Sequence, residues 1–300
     1  MTFQNLLITK PSKLSCANNC LVVTQRDEGA VSIPLNNINL ILIDNPQITV
    51  SSFLMQQCVE NGVIIICCND KHMPEGVMYG YNTHFQASRI LDMQIALSIP
   101  AKKQLWKSII QNKILSQACN LCYIGSEKYS NIAGYINEVK SGDVGNIEAI
   151  CARVYFSEMF KNFRRFDDDK INIMLNYGYS LIRSTIAKYL VVSGLNPAMG
   201  IMHRNQFNNF NLADDIIELF RYIVDMKVYN YSKQDDIFTK DDRVYLFEIF
   251  EAKVQFDDGS LNLINAIEKV IQSFQRVVKS GNVKELMTPI HKIDKYRILA

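Results

Sequence analysis

The sequence is poor in long apolar runs, in histidine and in net charge, and each shortage narrows what the chain can be. Its longest apolar run, VIIICC from Val63, falls far short of the roughly 18 residues a bilayer helix needs, which excludes a membrane-spanning helix. The opening MTFQNLLITKPSK has no basic region leading into an apolar one, so no signal peptide is expected and the expected compartment is the cytoplasm. Zinc-type spacing is missing too. Of 8 cysteines, only Cys119 and Cys122 form a CxxC; Cys16 and Cys20 are spaced CxxxC, and no second CxxC or Cys/His pair could complete a structural zinc site. A reducing compartment argues against disulfides, and Cys67 and Cys68 lie in a run expected to be a buried strand, where thiols behave as small hydrophobes. Inert thiols are the expectation. A net charge of +2 is too small to announce nucleic-acid binding, so any DNA surface must be local. The candidates are Lys102–Lys103, the KNFRR run from Lys161 with Arg164 and Arg165, Arg204, and the tail HKIDKYR from His291. Each alone reads more simply as a solvated face.

What is present is the composition of a folded soluble chain: 48% hydrophobic and 21% charged residues over 300 positions, enough for two domains. Up to about Asp70 the segments are short and β-branched, LLIT, CLVVTQ, AVSIPL, INLILID and GVIIICC, with turns at NNC, RDEGA and IDNPQ. One helix interrupts them, capped by Ser51 or Ser52 and ended by Gly62. From about Thr83 the period becomes helical. Helices are expected over 84–99, 102–120, 131–140, 145–166, 170–193, 212–226, 240–255 and 261–280, packed as an antiparallel bundle. The fold class is therefore α+β, a small N-terminal β-rich domain followed by a larger all-α helical domain. The expected boundaries are 1–75 for the β-rich domain, 76–84 for a linker, 85–290 for the helical catalytic domain and 291–300 for a basic tail.

Three acidic or imidazole positions draw attention within the helical part. In LADDIIELFRYIVD, Leu212, Ile216, Leu219, Phe220, Ile223 and Val224 share one side of a helix at about 100° per residue. Asp214, Asp215 and Glu218 share the other, close enough to point at one spot. The plain alternative is a solvated acidic face with Arg221 balancing Glu218. In GDVGNIEAICARVYFSEMF, Glu148 falls on a stripe with Ala152, Tyr155 and Met159. A carboxylate there is costly unless a cation neutralises it; the alternative is a wet first-turn glutamate favoured by the helix dipole. His203 is one of only 4 histidines and precedes the Asn-rich RNQFNNFN, where a structural role is the ordinary reading. Taken together, Glu148, His203 and Glu218 would form a mixed N/O ligand set suited to Mn²⁺ or Mg²⁺, with the imidazole tilting toward manganese.

GDVGNIEAICARVYF, LNYGYSLIRSTIAKYLVVSGLNPAMGIMHRNQFNNFNLADDIIELFR and Asp225 resemble the CRISPR-associated integrase that captures new spacers, the universal adaptation nuclease-integrase, with the type II branch the nearest match. The resemblance runs from the N-terminal strands almost to the C-terminus and is strongest over 142–225. It implies that Glu148, His203 and Glu218 are catalytic metal ligands and that Asp215 is a supporting carboxylate. LFRYIVD lacks the proline that commonly follows the last ligand in relatives. The resemblance further implies a homodimer, a small ferredoxin-like partner subunit bridging two such dimers in a heterohexamer, and, in type II systems, the effector nuclease and a ring-forming accessory protein. The implied substrates are a captured DNA fragment and a CRISPR repeat, joined by attack of a 3′-hydroxyl on a phosphodiester. Asn208 and Asn209 are expected to orient phosphate oxygens, and Arg204, Arg164 and Arg165 to pair with the DNA backbone. Two other functions fit the residues alone: a stand-alone metal-dependent DNA nuclease, and a non-catalytic helical assembly subunit.

Overall fold

The computed structural model describes residues 4–26, 29–80, 84–161, 163–165, 167–231 and 237–292. The chain divides into two compact units, residues 1–83 with 239–247, and residues 84–238 with 248–300.

The first unit holds strands β1 (Gln4–Ile8), β2 (Lys13–Ala17), β3 (Cys20–Gln25), β4 (Gly29–Pro34), β5 (Ile38–Ile43), β6 (Thr49–Val50), helix α1 (Ser52–Glu60), β7 (Ile64–Cys68) and β8 (Pro74–Met78). They form two four-stranded sheets, ordered β1-β5-β7-β8 and β4-β3-β2-β6. In the first, β1, β5 and β7 run parallel and β8 pairs antiparallel with β7. The middle strand β5 is apolar at successive positions because both its faces are covered: Leu40, Ile41 and Leu42 are all fully buried. Asn18 and Asn19, both at positive φ, make the tight β2–β3 turn. Ser51 caps α1 by accepting from Leu54 N. Leu14, Leu21, Leu35, Ile41, Leu54 and Ile65 belong to the core of this unit.

The second unit holds α2 (Ala87–Ala96), α3 (Ile99–Tyr123), α4 (Tyr129–Gly134), α5 (Ile147–Met159), α6 (Lys170–Val192), α7 (Asn211–Ile217) and α8 (Arg221–Tyr229). The segment α9 (Lys240–Phe247) belongs to the first unit, where Arg243 Nε donates to the buried Asp44 at 2.6 Å. Strands β9 (Lys253–Phe256) and β10 (Gly259–Asn262) then form a hairpin, followed by α10 (Leu263–Ser280). Helix α3 is buried along most of its length, with Leu105, Ile109, Ile110, Ile114 and Leu121 fully enclosed. Where α6 crosses α8, a Cβ on Gly178 would lie 2.5 Å from Val224, so only glycine permits that approach. Among the described residues no helix is long and apolar enough to cross a membrane.

Several expectations need correction. Gly76–Met78, assigned to a linker, belong to β8; Pro74 and Gly76 hid it, yet proline is tolerated in an edge strand such as this one. The helix expected over 240–255 ends at Phe247 and gives way to β9 and β10, whose two-residue Asp257–Asp258 turn was masked by the helical pattern around it. The 145–166 helix stops at Met159, and the 212–226 helix breaks into α7 and α8. Cys67 is exposed although its strand is apolar, while Cys58, Cys122 and Cys151 are buried; all 8 cysteines are free thiols. His291 is no part of a solvated tail. It packs edge-on to Tyr222, and burial pushes its pKa down to about 4. Residues 293–300 of that tail lie outside the described residues.

Candidate active site

Helix α5 starts on an unusual turn. Gly142, Asp143 and Asn146 all have positive φ, and Asn146 supplies no side-chain cap. Asp143 does so instead: its Oδ1 accepts from Ile147 N and its Oδ2 from Glu148 N, both at 3.0 Å. A carboxylate at a helix N-terminus satisfies orphan amides and complements the dipole. That fixes the first turn, and with it Glu148. Tyr155 and Met159 on the same stripe are buried, while the Glu148 side chain keeps 27% exposure.

The break between α7 and α8 places the second carboxylate. Leu219 N and Phe220 N bond to Ile216 O and Ile217 O in tightened turns, and Glu218 sits at the bend with a side chain only 5% exposed. A buried carboxylate must be paired. Arg221 Nε donates to its Oε1 at 2.8 Å, and Lys113 Nζ, reaching in from α3, lies 2.5 Å from its Oε2. The same ammonium lies 2.5 Å from Glu148 Oε1. Burial alone would raise the Glu218 pKa, but Arg221 and Lys113 outweigh it and hold it at about 2.

His203 is held by Asp215, which is fully buried. Its carboxylate accepts from Ile201 N at 2.5 Å, from Met202 N and His203 N at 3.2 Å, and from His203 Nδ1 at 2.8 Å. The Asp215 hydrogen bond is the main reason the His203 pKa is raised, and Glu218 adds to it from farther off. Trp106 meets the imidazole edge-on at 5.6 Å. Gly200 lets the loop close, since a Cβ there would stand 2.2 Å from the His203 carbonyl oxygen.

The acidic stripe of α7 therefore does not converge on one spot. Asp215 serves the His203 loop and Glu218 meets Lys113 and Arg221, while Asp214 faces Asn208 Nδ2 at 2.6 Å and Arg183 at 3.8 Å. Nor is it a solvated face, because Asp215, Glu218 and Asp225 are all buried. Asn208 frames its loop: Nδ2 is given to Asp214 and Oδ1 accepts from Phe210 N. Arg204 is exposed and lines a hollow of about 280 Å³ with Lys102 and Lys103, so two basic clusters separate in sequence become one. Arg164 is exposed in a non-helical stretch. Arg165, expected at the end of a helix running to residue 166, instead folds back to donate to Asn172 and Asn176 and lines the same cavity as Glu218.

That cavity, of about 670 Å³, is also lined by Lys113, Arg153, Tyr179 and Arg221. In its wall, Asp225 accepts from Tyr155 Oη at 3.0 Å and from Tyr179 Oη, and Arg221 stacks over the Tyr179 ring at 4.5 Å. Sequence reasoning missed Lys113, Tyr179, Trp106, the role of Tyr155, and Asn120, whose Nδ2 donates to Tyr155 Oη at 2.8 Å. Lys113 carried a signal: it shares the buried stripe of α3 with Trp106, Ile109, Ile110 and Gln117, where a lysine needs a partner.

Among the described residues no three His, Cys, Asp or Glu side chains cluster tightly enough to form a ready metal cage. The donor chemistry nonetheless fits a hard divalent ion in part. Two carboxylates from separate elements converge on one cation, here the Lys113 ammonium, which lies 2.5 Å from both Glu148 Oε1 and the buried Glu218 Oε2. His203 Nδ1 is bound to a carboxylate, the arrangement that presents Nε2 to a metal.

The family model for the CRISPR associated protein Cas1 matches residues 6–254. The CRISPR-associated endonuclease Cas1 of Neisseria meningitidis serogroup C (strain 8013) is 33% identical over 298 residues, 96% of each chain. Among solved structures, a casposase bound to an integration product superposes with a TM-score of 0.77 at 19% identity, covering 99% of this chain and 97% of that one. A Cas6-RT-Cas1–Cas2 complex gives 0.73 at 16% identity, covering 96% of this chain and 36% of its own. These two likenesses concern the fold. The family match and the end-to-end Neisseria relative carry more: this chain belongs to the Cas1 family of CRISPR-associated proteins.

Proposed function

We propose that this chain is a metal-dependent DNA integrase and endonuclease that inserts captured fragments as new spacers at CRISPR repeats. The observation that carries the reading is the meeting of Glu148 and Glu218, from separate elements, at one cation position, in a chain of this family. Glu148, Glu218 and His203 Nε2 would hold Mn²⁺ or Mg²⁺. Bound there, the ion would supply Lewis-acid stabilisation of charge developing on the phosphoryl oxygens. Asp215 fixes the imidazole tautomer, and Asp143 fixes the turn that carries Glu148. Lys102, Lys103 and Arg204 offer positive charge to the DNA backbone.

The nucleophile is the 3′-hydroxyl of the captured fragment, so no covalent enzyme intermediate is required. The hydroxyl gives up its proton to water as its oxygen forms the new bond to phosphorus, the repeat strand's P–O bond breaks, and the departing 3′-oxygen takes up a proton. Water in place of that hydroxyl gives cleavage. We assign the chain to the type II branch on its sequence resemblance, and propose a cytoplasmic homodimer working with the small ferredoxin-like subunit and the accessory proteins of that branch.

A non-catalytic assembly role is favoured by one observation: Lys113 and Arg221 neutralise both glutamates with no metal at all. Incubating the protein with a repeat-bearing plasmid and fragment, with and without the small subunit, separates these readings. Branched joined DNA supports the integrase, cut ends alone a nuclease, and no product with no Mn²⁺-dependent thermal shift the scaffold.

A further inference from the structure

The charges at the centre of the site already balance. Glu148 and Glu218 contribute two negative charges; Lys113, 2.5 Å from both, and Arg221, 2.8 Å from Glu218, contribute two positive ones. Lys113 is itself buried, with its side chain 11% exposed, so its ammonium is poorly placed to share its charge with water. It stands where the two carboxylates converge, 2.5 Å from Glu148 Oε1 and from Glu218 Oε2. A divalent ion taken up by the same carboxylates turns a neutral cluster into one of net charge +2, weakly screened by salt because Glu218 and Lys113 are buried. That excess needs an anion. The adjoining cavity supplies a place for one, because Lys113, Arg153, Arg165 and Arg221 line it and outnumber its two acids, Glu218 and Asp225.

We infer that Lys113 is a built-in counter-cation that holds the Glu148–Glu218 position until a divalent ion enters, and thereby makes metal binding and DNA binding cooperative. This rests on the metal-site reading above. Lys113 keeps the metal-free carboxylates from repelling one another, competes with the ion for them, and, once displaced, pairs with a DNA phosphate. The coupling is reciprocal: DNA tightens metal binding by the same factor as metal tightens DNA binding.

The test is a Mn²⁺ titration followed by electron paramagnetic resonance, on the full protein alone and with a duplex whose fragment ends in a 3′-deoxy sugar, so that no chemistry occurs. In the wild type the duplex should tighten Mn²⁺ binding by about 10-fold or more, within the range usual for coupled sites. Lys113→Met should bind Mn²⁺ at least several-fold tighter without DNA, lose most of the coupling, and melt lower without metal while gaining more from it. Lys113→Arg, which keeps the charge, should retain the coupling and guards against a Lys113→Met protein that does not fold. Wild-type Mn²⁺ binding that is indifferent to DNA, or coupling intact in Lys113→Met, overturns the inference while leaving the metal site standing. No Mn²⁺ binding by wild type in either state overturns both.

Discussion

Replacing Asp215 by asparagine changes one oxygen to an amide nitrogen and tests how the imidazole is held. In the wild type one carboxylate oxygen accepts from Ile201 N and Met202 N and the other from His203 N and His203 Nδ1. The asparagine oxygen can serve only one of these pairs. If it serves the two backbone amides, the new NH₂ group faces His203, and the contact survives only when Nδ1 gives up its proton and accepts. The proton then sits on Nε2, the nitrogen we propose as the metal ligand. His203 N is left facing a donor, and the other bonds lose their charge assistance; at about 1.5–3 kcal/mol for a hydrogen bond to a charged group, the variant should be roughly 2–4 kcal/mol less stable. Metal affinity and strand transfer should fall about 10- to 100-fold, the usual effect of losing a carboxylate behind a ligating histidine. Raised Mn²⁺ should recover part of the activity. Urea melts give the first number, and joining assays across a Mn²⁺ series give the second. Unchanged Mn²⁺ affinity would refute the tautomer argument, and complete loss without metal rescue would make Asp215 a ligand itself.

Gly200→Ala should strain the same loop, since its Cβ would lie 2.2 Å from the His203 carbonyl oxygen and 3.0 Å from Asp215 Oδ2; a loss of about 1–3 kcal/mol and a weaker Mn²⁺-dependent thermal shift are expected, and wild-type values for both would contradict the contact. Asp225 has its pKa raised by burial, against its two tyrosine hydrogen bonds, from 3.8 to about 6. A raised folded pKa means stability present below pH 3.8 and lost as pH rises through about 6. The loss is about 3 kcal/mol. Asp225→Asn should therefore flatten the pH dependence of urea midpoints between pH 4.5 and 8, and an unchanged slope would count against it. Lys102→Ala with Arg204→Ala should lower the salt slope of duplex binding by up to about 2, at roughly 0.9 per phosphate contact, equally for all sequences; the same slope as wild type would leave that cluster a solvated surface.

The division into a β-rich and a helical part was legible because side-chain period changes near Thr83, and β5 was legible because a doubly covered strand is apolar throughout. The β8 strand was not, since Pro74 and Gly76 read as loop and only the pairing with β7 overrules them. At the site, Glu148 stood out because its stripe is apolar. The α7–α8 break did not: LADDIIELFRYIVD keeps a helical period straight through Glu218, whereas the backbone tightens at Leu219 and Phe220 and Glu218 meets Lys113 and Arg221 at the bend. Asp214, Asp215 and Glu218 were grouped by spacing, yet that bend and the Asn208 and His203 loops send them to three different partners. Arg165 was misplaced for a related reason, because a helix extended to residue 166 carries it away from Glu218, whereas the chain turns at Phe160 and brings it to the same cavity.

The central claim is that Glu148 and Glu218 hold the ion for attack by a DNA 3′-hydroxyl. It is tested most directly by incubating the protein with Mn²⁺, a repeat-bearing plasmid and fragments ending in either a 3′-hydroxyl or a 3′-dideoxy sugar, and resolving branched joined strands. The account predicts joined product from wild type with the 3′-hydroxyl fragment only, and none from a folded Glu148→Gln variant. Joining by Glu148→Gln at the wild-type level, or joining of the 3′-dideoxy fragment, would contradict it.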